Sequence, residues 1–157
     1  GILVYLGIYL VMNRGPFAVI LCMRRNDRMA EEITDLAGLA KTKPLMAAIT
    51  AILMFSMAGI PPLAGFFGKF YVFKAAVDAG LVTLAVIGLV TSVVSAYYYL
   101  RIIKVMYFDE PVEGFDRNGT EMNVIMAVAT IIILAFVFFP NPLMDSAAIA
   151  AASLFGQ

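Results

Sequence analysis

The sequence predicts an all-α protein: a polytopic transmembrane helix bundle of four spans, the second of them discontinuous. Three observations predict it. Hydrophobic residues make up 62% of the 157 positions and charged residues only 14%, against about 45–50% and about 25% in a typical soluble domain. The apolar residues gather into four long stretches with polar stretches between them. One of those stretches is interrupted at its middle by glycine and proline. A soluble core of this length has no room for so much apolar surface, so the solvent of the folded chain is lipid.

A span needs about 20 predominantly apolar residues to cross a hydrocarbon core of about 30 Å. The first covers residues 1–23 and is apolar except for Asn13 and Arg14. Residues 1–10 carry no charged n-region and no cleavage site, so they are not a signal peptide. Without an initiator Met, the chain is expected to continue upstream. Residues 24–43 follow, with five basic and four acidic side chains. They read as a surface loop, with 27–41 a candidate for a short interfacial helix.

The second stretch, residues 44–79, is too long for one straight crossing. It breaks at 59–65, Gly59-Ile60-Pro61-Pro62-Leu63-Ala64-Gly65. Two prolines remove two backbone donors and cannot continue a helix, and the flanking glycines free the chain conformationally. The third span is 80–108. It closes on Tyr97-Tyr98-Tyr99, Arg101, Lys104 and Tyr107, an interfacial aromatic belt with snorkelling cations. A polar loop, 109–121, leads to the fourth span at 122–139. Pro140-Asn141-Pro142 stops that span, and the Ala-rich tail 140–157 is expected to lie on the membrane surface.

Charge decides how the broken stretch runs. If it crosses once, Arg24, Arg25, Arg28, Lys41, Lys43, Arg101, Lys104 and Arg117 all fall on one side. The other side keeps Lys74 with Asp78 and Asp145. A hairpin would split the cations five against three. The positive-inside rule favours the single crossing, with both basic loops cytoplasmic.

Several chemistries are disfavoured. With no His and one cysteine, Cys22, the chain lacks the commonest haem ligand and the four thiolates an iron–sulfur cluster usually needs. No glycine-rich loop follows a strand to cradle a nucleotide. The acids cluster in loops rather than spans. The chain is therefore expected to hold no cofactor and no metal, and to bind no nucleic acid.

Non-helical backbone at membrane depth is tolerated only when buried in protein or lining a wet cavity, and discontinuous helices of this kind mark ion sites in transporters. Lys69 sits just past the break. It precedes Asp78 by nine residues, about 13 Å of helix, a long way to snorkel. An intramembrane ionisable residue is a functional candidate by default. Burial disfavours the charged form of a lysine, so such a group can bind and release a proton as a neighbouring charge comes and goes. The competing reading is a structural cation, paired with a carboxylate or capped by carbonyls freed at the break.

Ala58-Gly59-Ile60-Pro61-Pro62-Leu63-Ala64-Gly65-Phe66-Phe67-Gly68-Lys69-Phe70-Tyr71-Val72-Phe73 closely resembles the broken helix near the C-terminal end of the subunit N family of NADH–quinone oxidoreductase, respiratory complex I. Tyr97-Tyr98-Tyr99-Leu100-Arg101 matches the same family, as do Tyr5-Leu6, Tyr9-Leu10, Asn13, Gly15 and Phe17 in the first span. The related subunit M pattern carries Glu where Lys69 stands, and the subunit L pattern departs from Gly-Lys-Phe-Tyr.

The resemblance implies an antiporter-like module of which these are the last four spans, translocating protons across a bacterial inner membrane. Quinone reduction elsewhere in the complex would drive it. Flavin, iron–sulfur clusters and quinone would then sit in other subunits, and the partners would be the other membrane-arm subunits and the lipid. Lys69 matches the family's proton-channel lysine, and Gly59, Pro61, Pro62, Gly65 and Gly68 form the helix break beside it. Arg14 departs from the pattern, where a neutral residue is usual, and Pro16 replaces a small residue. Arg14 and Lys104 are relay or anchor candidates, while Lys74 reads as an interfacial anchor. Two other functions fit the composition: a multi-subunit sodium–proton antiporter, and a membrane anchor that moves no ion.

Overall fold

A computed structural model describes residues 2–25, 28–30, 32–116 and 119–138. Its long elements are α-helices: α1 (Ile2–Leu21), α3 (Pro44–Ala58), α4 (Ala64–Asp78), α5 (Val82–Phe108) and α6 (Thr120–Phe138), with a single turn, α2 (Leu39–Thr42), ahead of α3. Helices dominate because lipid offers no partner for backbone amides, so each segment must satisfy its own. Helix α5, at 27 residues, is long and apolar enough to cross a membrane. Helices α3 and α4 have 15 residues each, about 22 Å of rise, short of a hydrocarbon core of about 30 Å. The expected tail, 140–157, lies outside the described residues, as does Arg117.

Helix α1 packs against α3, α4 and α6, and α5 packs against α3 and α4. Their shared core holds Met12, Val19, Leu53, Met106, Met126 and Ile133. Gly15 sets the closest approach of α1: a Cβ there would lie 2.7 Å from Leu53 Cδ2 and 3.3 Å from the Ala129 Cβ. Small residues permit such contacts between membrane helices, where packing rather than a hydrophobic drive holds helices together.

The interfacial helix expected over 27–41 does not form. Arg24–Arg25 pairs antiparallel with Arg28–Met29, a 3-10 turn covers Ile33–Leu36, and α2 follows only after Gly38. The physical reason is Gly38, left-handed at φ 62°. A Cβ on it would come within 2.4 Å of Pro111 Cα, and its amide donates to the Val105 carbonyl at 3.2 Å. That docking against the end of α5 prevents a continuous helix.

The docking also places the two basic loops at one end of the bundle. The Asp116 amide donates to the Arg24 carbonyl at 2.8 Å, and the Val112 amide to that of Ala37 at 3.3 Å. Arg25 pairs with Asp35 at 3.2 Å and lies over the Phe115 ring, 5.3 Å from its centroid. Lys43 donates to the Asp116 carbonyl. Burial there pushes the Lys43 ammonium below the ordinary lysine range, with Cys22 and Asp116 pulling the other way.

Candidate functional site

Helix α3 stops where the sequence predicts. Gly59 is left-handed at φ 84°; its amide donates to the Ser56 carbonyl at 3.0 Å, and the Ile60 amide reaches back to that of Phe55 at 3.1 Å. The reach across five residues is the signature of a Schellman cap. In an uninterrupted helix the carbonyls of Met57 and Ala58 would accept from the amides of residues 61 and 62. Those residues are Pro61 and Pro62, which have no amide hydrogen.

Lys69 supplies what the prolines withhold. Its Nζ donates to the Met57 carbonyl at 2.9 Å and to the Ala58 carbonyl at 3.3 Å. The side chain reaches back from α4 to the C-terminal end of α3, where the helix dipole is negative and favours a cation. Gly59 leaves it room: a Cβ there would lie 3.1 Å from Lys69 Cδ. No carboxylate forms an ion pair with Lys69 among the described residues. Of the two structural alternatives, carbonyl capping therefore matches the geometry and carboxylate pairing does not.

The second half-helix is fixed from the same place. The Gly65 amide, in the first turn of α4, donates to Ser56 Oγ at 3.2 Å. A Cβ on Gly65 would fall 1.8 Å from the Ser56 carbonyl oxygen, so the two backbones touch. Ser56 is fully buried. Gly68, one turn along, is buried and lines the adjoining cavity.

That cavity, 310 Å³ in volume, lies beside Lys69. Tyr9, Met12 and Asn13 line it from α1, and Thr91, Ser95 and Tyr99 from α5. A wider groove of 710 Å³ opens on the other side of Lys69, between α4 and α5, with Phe66, Phe70 and Val93 on its walls. Lys69 thus lines both a cavity that carries hydroxyl and amide groups and a more apolar groove.

The structure brings Gly59, Pro61, Pro62, Gly65, Gly68 and Lys69 together, and leaves two other candidates apart. Lys104 pairs with Asp109 at 2.5 Å at the loop end, its side chain 62% exposed. Arg14 is exposed on α1 and is not among the residues lining the cavity. Lys74 pairs with Asp78 at 2.6 Å, as an anchor would. Sequence reasoning missed Ser56 and the hydroxyl face of α5. The signal for that face was present: Thr91, Ser95 and Tyr99 recur every four residues, which places them on one side of a helix.

Residues 1–95 match the family described as NADH:quinone oxidoreductase/Mrp antiporter, TM. Over 156 residues the chain is 65% identical to NADH-quinone oxidoreductase subunit N of Paramagnetospirillum magneticum, covering 99% of this chain and 32% of that protein. Over 155 residues it is 58% identical to the subunit N of Rhodospirillum rubrum, covering 98% of this chain and 32% of that protein. A chain in the structure of respiratory complex I from Thermus thermophilus with bound aureothin superposes with a TM-score of 0.74 at 35% identity, over 87% of this chain and 31% of that one. The chain therefore spans about a third of the length of the relatives it matches. With its broken helix and the lysine at the break, the chain belongs to the NADH:quinone oxidoreductase/Mrp antiporter transmembrane family.

Proposed function

We propose that this chain forms the C-terminal part of a subunit N-type component of the membrane arm of NADH–quinone oxidoreductase, with Lys69 as its proton-translocating group. Residues 1–23, 44–79, 80–108 and 122–139 cross the bacterial inner membrane, the basic loops face the cytoplasm, and other membrane-arm subunits complete the assembly. Electron transfer from NADH to quinone takes place elsewhere in that complex, on flavin and iron–sulfur clusters held by other subunits. This chain contributes no redox centre and no metal.

The observation that carries the reading is the pair of bonds from Lys69 to Met57 and Ala58. An ammonium has three N–H donors. A neutral amine keeps two, which is the number the two carbonyls require. Lys69 can therefore lose one proton and still satisfy the break. The exchangeable third proton belongs to the cavity that Lys69 lines. A cation arriving nearby disfavours the ammonium and drives that proton off; its departure lets the site reload.

Identity with subunit N relatives over nearly the whole chain favours this assignment over the sodium–proton antiporter reading. Lys69→Ala tests it in the intact complex reconstituted into vesicles. The expected result is an assembled complex with less proton pumping per NADH oxidised. Normal pumping and a normal oxidation rate would leave Lys69 a structural cation.

A further inference from the structure

Three polar side chains of the cavity lining, Thr91, Ser95 and Asn13, share a hydrogen-bonding sense. The only donor of the Thr91 hydroxyl is given to the Gly88 carbonyl at 2.9 Å. The Ser95 hydroxyl gives its own to the Thr91 carbonyl at 3.0 Å. Across the cavity on α1, Asn13 donates from Nδ2 to the Tyr9 carbonyl at 2.9 Å, which leaves its oxygen as an acceptor. A hydroxyl carries one donor and two acceptor lone pairs. Thr91 and Ser95 therefore meet the cavity as acceptors, and Lys69 meets it as a donor.

The volume of 310 Å³ holds on the order of ten waters at about 30 Å³ each. Waters against such a wall donate to it. Their own lone pairs then turn toward the interior, where Lys69 offers its third N–H. A hydronium ion has three donors and no useful acceptor, so the acceptors of Thr91, Ser95 and Asn13 suit it better than they suit neutral water.

We propose that Thr91 and Ser95 on α5, with Asn13 opposite on α1, hold a file of water that accepts the proton leaving Lys69 and stabilises it as hydronium. This rests on the translocation reading above. In the step, one N–H bond of the Lys69 ammonium breaks and an O–H bond forms on the nearest water. The electron pair stays on nitrogen, giving a neutral amine and a hydronium ion. Thr91, Ser95 and Asn13 act through water as positioning residues. The spacing of 91 and 95 places their two hydroxyls about 6 Å apart along α5, a separation that two hydrogen-bonded waters span.

The test uses the intact complex in vesicles, with proton pumping per NADH oxidised measured in H₂O and in D₂O. Four variants are compared: Thr91→Val with Ser95→Ala, which removes both hydroxyls; Thr91→Ser with Ser95→Thr, which keeps them; Ser95→Ala alone; and Lys69→Ala. The hydroxyl-free double variant is expected to slow pumping on the order of tenfold, less than the about 10²-fold or more expected of a group that transfers the proton directly. Its solvent isotope effect should increase, and the hydroxyl-keeping pair should restore both quantities. If the hydroxyl-free double variant fails to assemble, Ser95→Ala alone carries the same expectation at smaller size.

Normal pumping without the hydroxyls, alongside defective pumping in Lys69→Ala, overturns the water file and leaves the lysine reading intact. Equal loss in the hydroxyl-free and hydroxyl-keeping pairs reduces the two residues to packing and also overturns it. Normal pumping in Lys69→Ala removes the reading on which the proposal rests.

Discussion

The two ends of α3 are each met by a lysine that donates to a backbone carbonyl, but the charged groups around the two lysines differ. At the loop end, Lys43 donates to the Asp116 carbonyl; burial disfavours its ammonium, and the charges of Cys22 and Asp116 pull the other way. Other cations at that end have carboxylate partners: Arg25 with Asp35, Lys41 with Glu110 and Lys104 with Asp109. At the broken end, Lys69 is held by the neutral carbonyls of Met57 and Ala58. Removing a proton from a cation paired with a carboxylate leaves that carboxylate without its partner, a loss of about 0–1 kcal/mol for exposed pairs. Removing one from Lys69 leaves two satisfied carbonyls and no orphaned ion. Among the described residues, the loop end gathers carboxylates around its cations, and the broken end sets none against Lys69.

Three substitutions, with Gly80→Ala as a control for the second, bear on that contrast, from the largest expected effect to the smallest. Gly65→Ala drives a Cβ to within 1.8 Å of the Ser56 carbonyl oxygen, a backbone atom with little freedom to move. Overpacking of this kind costs about 1–3 kcal/mol or more, and here it separates the two half-helices that position Lys69. The yield of assembled complex should fall sharply, and unchanged yield and pumping would mean that the close approach does not matter.

Gly59→Ala carries two costs. A non-glycine residue in the left-handed region is disfavoured by about 1–2 kcal/mol, and the new Cβ meets Lys69 Cδ at 3.1 Å. Gly80 separates the two, because it is also left-handed, at φ 77°, with nothing within 4 Å of its Cβ position. Both variants should lower thermal stability of the complex, but only Gly59→Ala should also depress pumping per NADH oxidised. Equal effects on pumping would assign the loss to the backbone and detach it from Lys69.

Lys104→Ala should change least. Its ion pair with Asp109 is 62% exposed on the lysine side, and exposed pairs contribute about 0–1 kcal/mol. Pumping and stability should stay close to those of the unaltered complex. A pumping defect as large as that of Lys69→Ala would restore Lys104 as a relay candidate.

How much of this was legible in the sequence follows from where each signal resides. The break was legible because proline and glycine act through their own covalent structure, whatever packs around them. That the basic loops share one end of the bundle was legible because charge placement is a property of the chain's order across the membrane. The loop over 27–41 was not, because its path is set by Gly38 docking on Pro111 and Val105, a contact between residues far apart in sequence. The partners of Lys69 were legible only as a class. Freed carbonyls were anticipated, but the return of the side chain from α4 to Met57 and Ala58 depends on how the half-helices meet at Ser56 and Gly65. The hydroxyl face of α5 was masked by the tyrosine run at 97–99, which belongs to an interfacial belt and drew attention away from the four-residue spacing beneath it.

The central claim is that Lys69 uses two protons to hold the break and a third to do the work. Lys69→Arg separates those tasks. A guanidinium has donors enough for both carbonyls but keeps its charge throughout the working pH range. The most direct measurement is proton pumping per NADH oxidised by the assembled Lys69→Arg complex in sealed vesicles. The account predicts normal assembly with pumping well below that of the unaltered complex. Normal pumping in that variant would contradict it, because a lysine that can be replaced by a permanent cation is not the group that gives up the proton.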